Sequence, residues 1–187
     1  MKKKIVLLGD SIRLWGYGTR VPEILGEDYE VCQPEDNCRF AKYTLRGLFD
    51  WQDIIKGADV IHWNNGLWDC TEIFDDGLFT SEEEYIENMT RIAKLLLKIT
   101  PNVIFATTTP VWDEFEWTHN DKIVRFNEII VPRLQELGVK INDLHSIVAK
   151  DIHGNIKECD KIHLSDKGIE LCANAVALAI KQFDDEI

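Results

Sequence analysis

The chain has 187 residues, of which 45% are hydrophobic and 10% aromatic, enough to bury a core without metal or disulfide staples. Its 33 acidic and 21 basic side chains leave a net charge of −12, which repels phosphate backbones and anionic head groups. Disorder, nucleic-acid binding and membrane binding are therefore poor starting points. The five cysteines (Cys32, Cys38, Cys70, Cys159 and Cys172) are odd in number and show no Cys-x-x-Cys spacing, so they read as reduced thiols of a cytoplasmic protein.

In chain order, Met1-Lys2-Lys3-Lys4 has the charge of a signal-peptide n-region. The apolar run behind it ends at Gly9-Asp10, too soon for a secretory h-region. No run approaches the roughly 18 apolar residues that a membrane span needs. Short apolar runs then recur: Lys4–Leu8, Tyr29–Cys32, Asp59–Trp63, Asn102–Thr108 and Val139–Ile141. Val/Ile/Leu runs without alternation fit parallel strands covered on both faces.

Segments of helical period separate them. Ser81–Ile99 carries Ile86, Met89, Ile92, Ala93, Leu96 and Leu97 on one face, with Ser81 and Glu84 in capping-box spacing. Asp121–Leu137 ends before Gly138, and Pro132 predicts a break or kink in it. Ser165–Phe183 is the last helix, with Ser165 as its cap. The acidic runs Glu82-Glu83-Glu84 and Asp184-Asp185-Glu186 read as solvated helix ends.

Alternating strands and helices, with no repeat or linker between them, predict one domain over residues 1–187. Its class is a doubly wound three-layer α/β/α sandwich on a parallel five-stranded sheet, flavodoxin-like in plan. Ligands of such sheets bind beyond the carboxyl ends of the strands. The residues there are Gly9-Asp10-Ser11, Asn64-Asn65-Gly66 and Thr108-Thr109-Pro110. Near the other end, Asp160 and His163 are three residues apart, just before the last helix. A carboxylate so placed can accept the Nδ1 hydrogen of the imidazole and leave Nε2 free as a base for a serine. Each cluster also has a plain reading: Asp10 or Ser11 as a helix cap, and Asp160 with His163 as a surface pair.

Together the two clusters resemble the SGNH or GDSL hydrolase family. Gly9-Asp10-Ser11-Ile12 matches its first block, and Asp160-Lys161-Ile162-His163-Leu164-Ser165 with Gly168 its last. The resemblance implies a serine ester hydrolase with Ser11 as nucleophile, His163 as base and Asp160 as its orienting acid, with no cofactor or metal. The middle blocks depart from the pattern. Residues 35–44 lack the family's glycine, so a backbone N–H of Ala41 or Lys42 takes its role in the oxyanion hole. Asn64-Asn65-Gly66-Leu67 replaces the third block, as in a subset of the family; Asn65 is favoured as oxyanion donor and Asn64 is close behind. The same pair also suits a plain turn.

Of six tryptophans, Trp15, Trp63, Trp68, Trp112 and Trp117 fall at or beyond strand ends, and Trp15 and Trp68 stand as substrate-binding candidates. Trp51 reads as core, and Arg13 as a surface or salt-bridge residue. His62, His119, His145 and His153 show no zinc spacing, and no nucleotide-binding glycine string follows the first strand. The expected substrate is a small-molecule or carbohydrate ester with a short acyl group such as acetyl. A glycan- or nucleotide-binding module without turnover, on the same fold, is the alternative.

Overall fold

The computed structural model describes residues 2–74 and 76–183. Five strands form one sheet: β1 (Lys3–Leu8), β2 (Tyr29–Cys32), β3 (Val60–Trp63), β4 (Val103–Ala106) and β5 (Lys140–Asn142). Every pairing is parallel and the strand order is β2-β1-β3-β4-β5, the doubly wound plan that the apolar runs predict. Ile5–Leu8, Val60–Trp63 and Val103–Ala106 are all buried, because helices cover both faces of the central strands.

Short helices α1 (Ser11–Leu14) and α2 (Val21–Leu25) follow β1, and α3 (Ala41–Asp50) and α4 (Gln52–Ile55) follow β2. The long helices are α5 (Glu82–Leu96) before β4 and α6 (Asn120–Glu136) before β5. After β5 come α7 (Leu144–Ala149), α8 (Ile152–Asn155) and α9 (Asp166–Lys181). Helices α3, α5 and α6 pack in series, while α2, α7 and α8 surround α9.

The helix signals act through identifiable hydrogen bonds. Ser81 Oγ accepts from Glu84 N at 3.2 Å, and Ser165 Oγ accepts from Gly168 N at 3.2 Å. Of the break or kink expected at Pro132, the break does not occur: helix α6 continues through it. The Glu82-Glu83-Glu84 end is more than solvated: Glu82 holds Arg125 at 2.7 Å and Glu84 holds Lys42 at 2.6 Å. The run 184–186 lies outside the described residues. All five cysteines are free thiols. Among the described residues no helix is long and apolar enough to cross a membrane.

Candidate active site

The chain leaves β1 through Gly9, where a side chain is excluded: a Cβ would lie 2.0 Å from Asn64 Oδ1. Asp10 caps α1, its Oδ1 accepting from Ile12 N at 2.9 Å, so the capping role is real for this residue. Burial pushes the Asp10 carboxyl up against the lowering effects of Asn64, Ile12, Arg13 and His163. Ser11 opens the helix and is 5% exposed. Trp15, one turn on, is 59% exposed and sets its ring 5.3 Å from that of His163, tilted by 58°.

That contact joins the first block to the last. In the 160–163 loop, Asp160 Oδ1 accepts from Ile162 N at 3.1 Å and His163 N at 2.9 Å. Its Oδ2 lies 3.1 Å from His163 Nδ1. With Nδ1 donating to the carboxylate, the His163 Nε2 is left as an acceptor. Burial raises the Asp160 pKa, but the hydrogen bonds from His163 and Ile162 outweigh it and hold the carboxyl below its usual range. Lys161 takes the left-handed conformation (φ 63°) that this tight turn needs, and its carbonyl accepts from Trp112 N at 3.0 Å. Gly168 lets α9 meet the loop closely, since a Cβ there would lie 2.0 Å from Asn155 O. Among the described residues no hydrogen bond joins Ser11 to His163; the two are neighbours through Trp15 and not directly bonded.

The two asparagines differ sharply. Asn65 is wholly buried, its Oδ1 accepting from Trp63 Nε1 at 3.1 Å and its Nδ2 donating to Arg39 O at 2.8 Å. Its carbonyl accepts from Tyr85 OH and Thr108 Oγ1, both at 3.1 Å, so Asn65 builds the turn. Asn64 sits beside Gly9, Asp10 and Tyr17, with Tyr17 OH donating to its Oδ1 at 2.7 Å. This grip leaves its amide nitrogen as the donating end.

At the start of α3, Ala41 N donates to both carboxylate oxygens of Asp69, at 3.1 and 3.0 Å. Asp69 is wholly buried, and desolvation pushes its pKa up to about 7. The Lys42 side chain points to solvent and pairs with Glu84. Two residues that sequence reasoning passed over tie this segment to the nucleophile turn: Cys38 N donates to Gly9 O at 3.1 Å, and Gly9 N donates to Cys38 Sγ at 3.2 Å. Arg39 (φ 49°) then turns the chain so that its carbonyl meets Asn65.

Arg13 corrects its expected role. It is wholly buried and faces carbonyl oxygens instead of carboxylates: Gly9 at 3.1 Å, Pro34 at 2.9 Å and Asp36 at 2.7 Å. The tryptophans divide as well. Trp63 is core, packed on Phe105 with ring centroids 4.9 Å apart, whereas Trp15, Trp68 and Trp117 are exposed. Trp51 and Trp112 are half-buried.

No protein-family model and no curated protein sequence matches the chain. Solved structures do. A lipase/acylhydrolase from Enterococcus faecalis superposes with a TM-score of 0.78, at 19% identity over 96% of each chain. A GDSL-like lipase from Bacteroides thetaiotaomicron gives 0.74, at 18% identity over 96% of this chain and 88% of that one. An acetylxylan esterase from Geobacillus stearothermophilus gives 0.75, at 15% identity over 95% and 94%. The chain shares the fold of these enzymes. At such identities the likeness extends to architecture, and chemistry has to be argued from the side chains.

Proposed function

We propose that the protein is a serine ester hydrolase of the SGNH type, acting through an acyl-enzyme. The observation that carries the reading is the Asp160–His163 pair, bonded at 3.1 Å, whose imidazole lies against Trp15 of the helix that Ser11 begins. The imidazole Nε2 takes the Ser11 hydroxyl proton as Oγ bonds to the ester carbonyl carbon, and the carbonyl π pair moves onto oxygen. Asp160 fixes the ring and balances the imidazolium charge. The oxyanion is met by the Ser11 backbone N–H and the Asn64 amide. Of the two α3 donors, Ala41 is occupied by Asp69, so the third hydrogen comes from Lys42 N–H in the first turn. His163 then protonates the leaving alcohol, and water attacks the acyl-enzyme by the same route.

The substrate is a small or carbohydrate-linked ester with a short acyl group such as acetyl. Exposed Trp15 beside the base offers a face for a sugar ring, and the fold is shared with acetylxylan esterases. Five free thiols support a cytoplasmic setting, a charge of −12 argues against nucleic acid and membrane partners, and residues 1–187 act as one domain.

The test pairs p-nitrophenyl acetate and butyrate hydrolysis with labelling by a fluorophosphonate. Wild type hydrolyses and labels at Ser11, while Ser11→Ala loses labelling and about 10³-fold or more of kcat. Undiminished hydrolysis by Ser11→Ala overturns the nucleophile. A folded protein that never labels, yet binds a glycan or nucleotide unchanged, establishes a binding module instead.

A further inference from the structure

An apolar cleft of about 230 Å³ lies beside the loops that carry Asn64 and His163. Leu67 and Trp68 continue the Asn64-Asn65-Gly66 turn into one wall, and Ile162, the residue before His163, lines another. Phe115 and Trp117 close it from the segment between β4 and α6, and Phe79 from the segment before α5. Leu67 also lines the small space bounded by Asp10, Ile12 and Asn64, so one side chain divides the cleft from the nucleophile turn.

The lining says what the cleft takes. Among the described residues the one hydroxyl on its wall, Thr71 Oγ1, already donates to Trp68 O at 2.8 Å. Among the described residues no charged side chain lines it, and the indole N–H groups can only donate. Sugar hydroxyls, which need acceptors as well as donors, would be left unsatisfied here. Rings at Trp68, Phe79 and Trp117 stay 40–45% exposed although they converge on a concavity, as in ligand clefts. A cavity of about 150 Å³ lined by such side chains accepts benzene, so this one holds a substituted ring or a chain of like volume.

We infer that this cleft receives a ring-sized apolar group of the ester substrate and sets the preference of the enzyme for it. The inference rests on the esterase reading, and its test separates the two. One arm compares kcat/KM for benzyl acetate with methyl acetate, and a second compares methyl 3-phenylpropionate with methyl acetate, distinguishing an alcohol-side from an acyl-side group. In one arm wild type favours the aromatic ester at least tenfold, and Trp117→Ala lowers that ratio about tenfold, the scale of lost apolar contact in a specificity pocket. Phe79→Ala, at a second exposed ring, repeats the test if the first variant does not fold. Calorimetric titration with 2-naphthol supplies a readout free of catalysis, with binding expected in wild type and weakened in both variants. Ratios near one in both arms, or ratios and naphthol binding that the variants leave unchanged, overturn the inference. Naphthol binding that depends on Trp117, in a protein that hydrolyses no ester, sinks the esterase reading while the chemistry of the cleft stands.

Discussion

In the 160–163 loop, a carboxylate partly open to water takes hydrogens from Ile162 N, His163 N and the His163 ring. At the junction between α3 and the turn after β3, the Asp69 carboxylate takes hydrogen bonds from Ala41 N, from the Thr80 side chain and from its own backbone, and is wholly buried. Hydrogen bonding prevails at the first and holds Asp160 below its usual range; desolvation prevails at the second and carries Asp69 to about 7. The same side chain near the same rim is thus a fixed charge in one place and a half-protonated group near neutrality in the other. Both carboxylates have several donors, so the access of water decides between them.

The comparison breaks most visibly if Asp160 loses its charge. Asp160→Asn keeps the shape of the loop but presents the wrong partner to His163 Nδ1, so kcat falls on the order of 10³–10⁴-fold. Burst kinetics with p-nitrophenyl acetate measure this, and a loss below tenfold would mean that Asp160 does not orient the base. The asparagines give the next effect. Asn64→Ala lowers kcat about 10²–10³-fold with KM little changed, as removal of an oxyanion donor does. Asn65→Ala instead strands the buried Trp63 Nε1, costing about 1–3 kcal/mol, and frees the part-buried Arg39 O, so the loss shows first in the melting temperature. The opposite pattern would move the donor to Asn65.

The smallest effect sharpens the pH side. Asp69 has a folded pKa raised above the unfolded value of about 4, so the fold prefers its protonated form. Its contribution to stability is therefore full below about pH 4 and falls as pH rises toward 7. Asp160, held low, contributes in the other direction: its share is present above the unfolded value and fades as pH falls through the folded one. Asp69→Asn should gain several degrees in Tm over wild type between about pH 5 and pH 8, at about 2–4 °C per kcal/mol for this size. A Tm difference independent of pH, by calorimetry, would show that Asp69 does not titrate in that range.

What the sequence makes legible follows from how local each signal is. The runs at Ile5–Leu8 and Ile61–Trp63 mark strands because burial on both faces demands unbroken apolar residues, whereas the edge strand Tyr29–Cys32 is only partly buried and carries an exposed Glu30. Ser81 and Ser165 mark helix starts because a cap needs only its own turn. The pairing of Asp160 with His163 is legible for the same reason, being closed within four residues. Asn64 and Asn65, by contrast, are adjacent and chemically identical; Tyr17, Trp63 and Arg39, all distant or outside the motif, assign their roles. Arg13 is hidden likewise, since nothing nearby in sequence foretells three carbonyl groups arriving from Gly9, Pro34 and Asp36. Pro132 does not interrupt α6, because that helix is held by its packing against α5 and β5 as well as by its own backbone bonds.

Arg13 has a consequence for how the nucleophile turn is held. Its guanidinium grips the Gly9 carbonyl from inside the protein and reaches at the same time to Pro34 O and Asp36 O in the segment after β2. A lysine there would offer a compact point charge in place of the planar fork that meets three carbonyl groups. With arginine, one rigid fork staples the nucleophile turn to the loop after β2, so a shift in either is carried to the other.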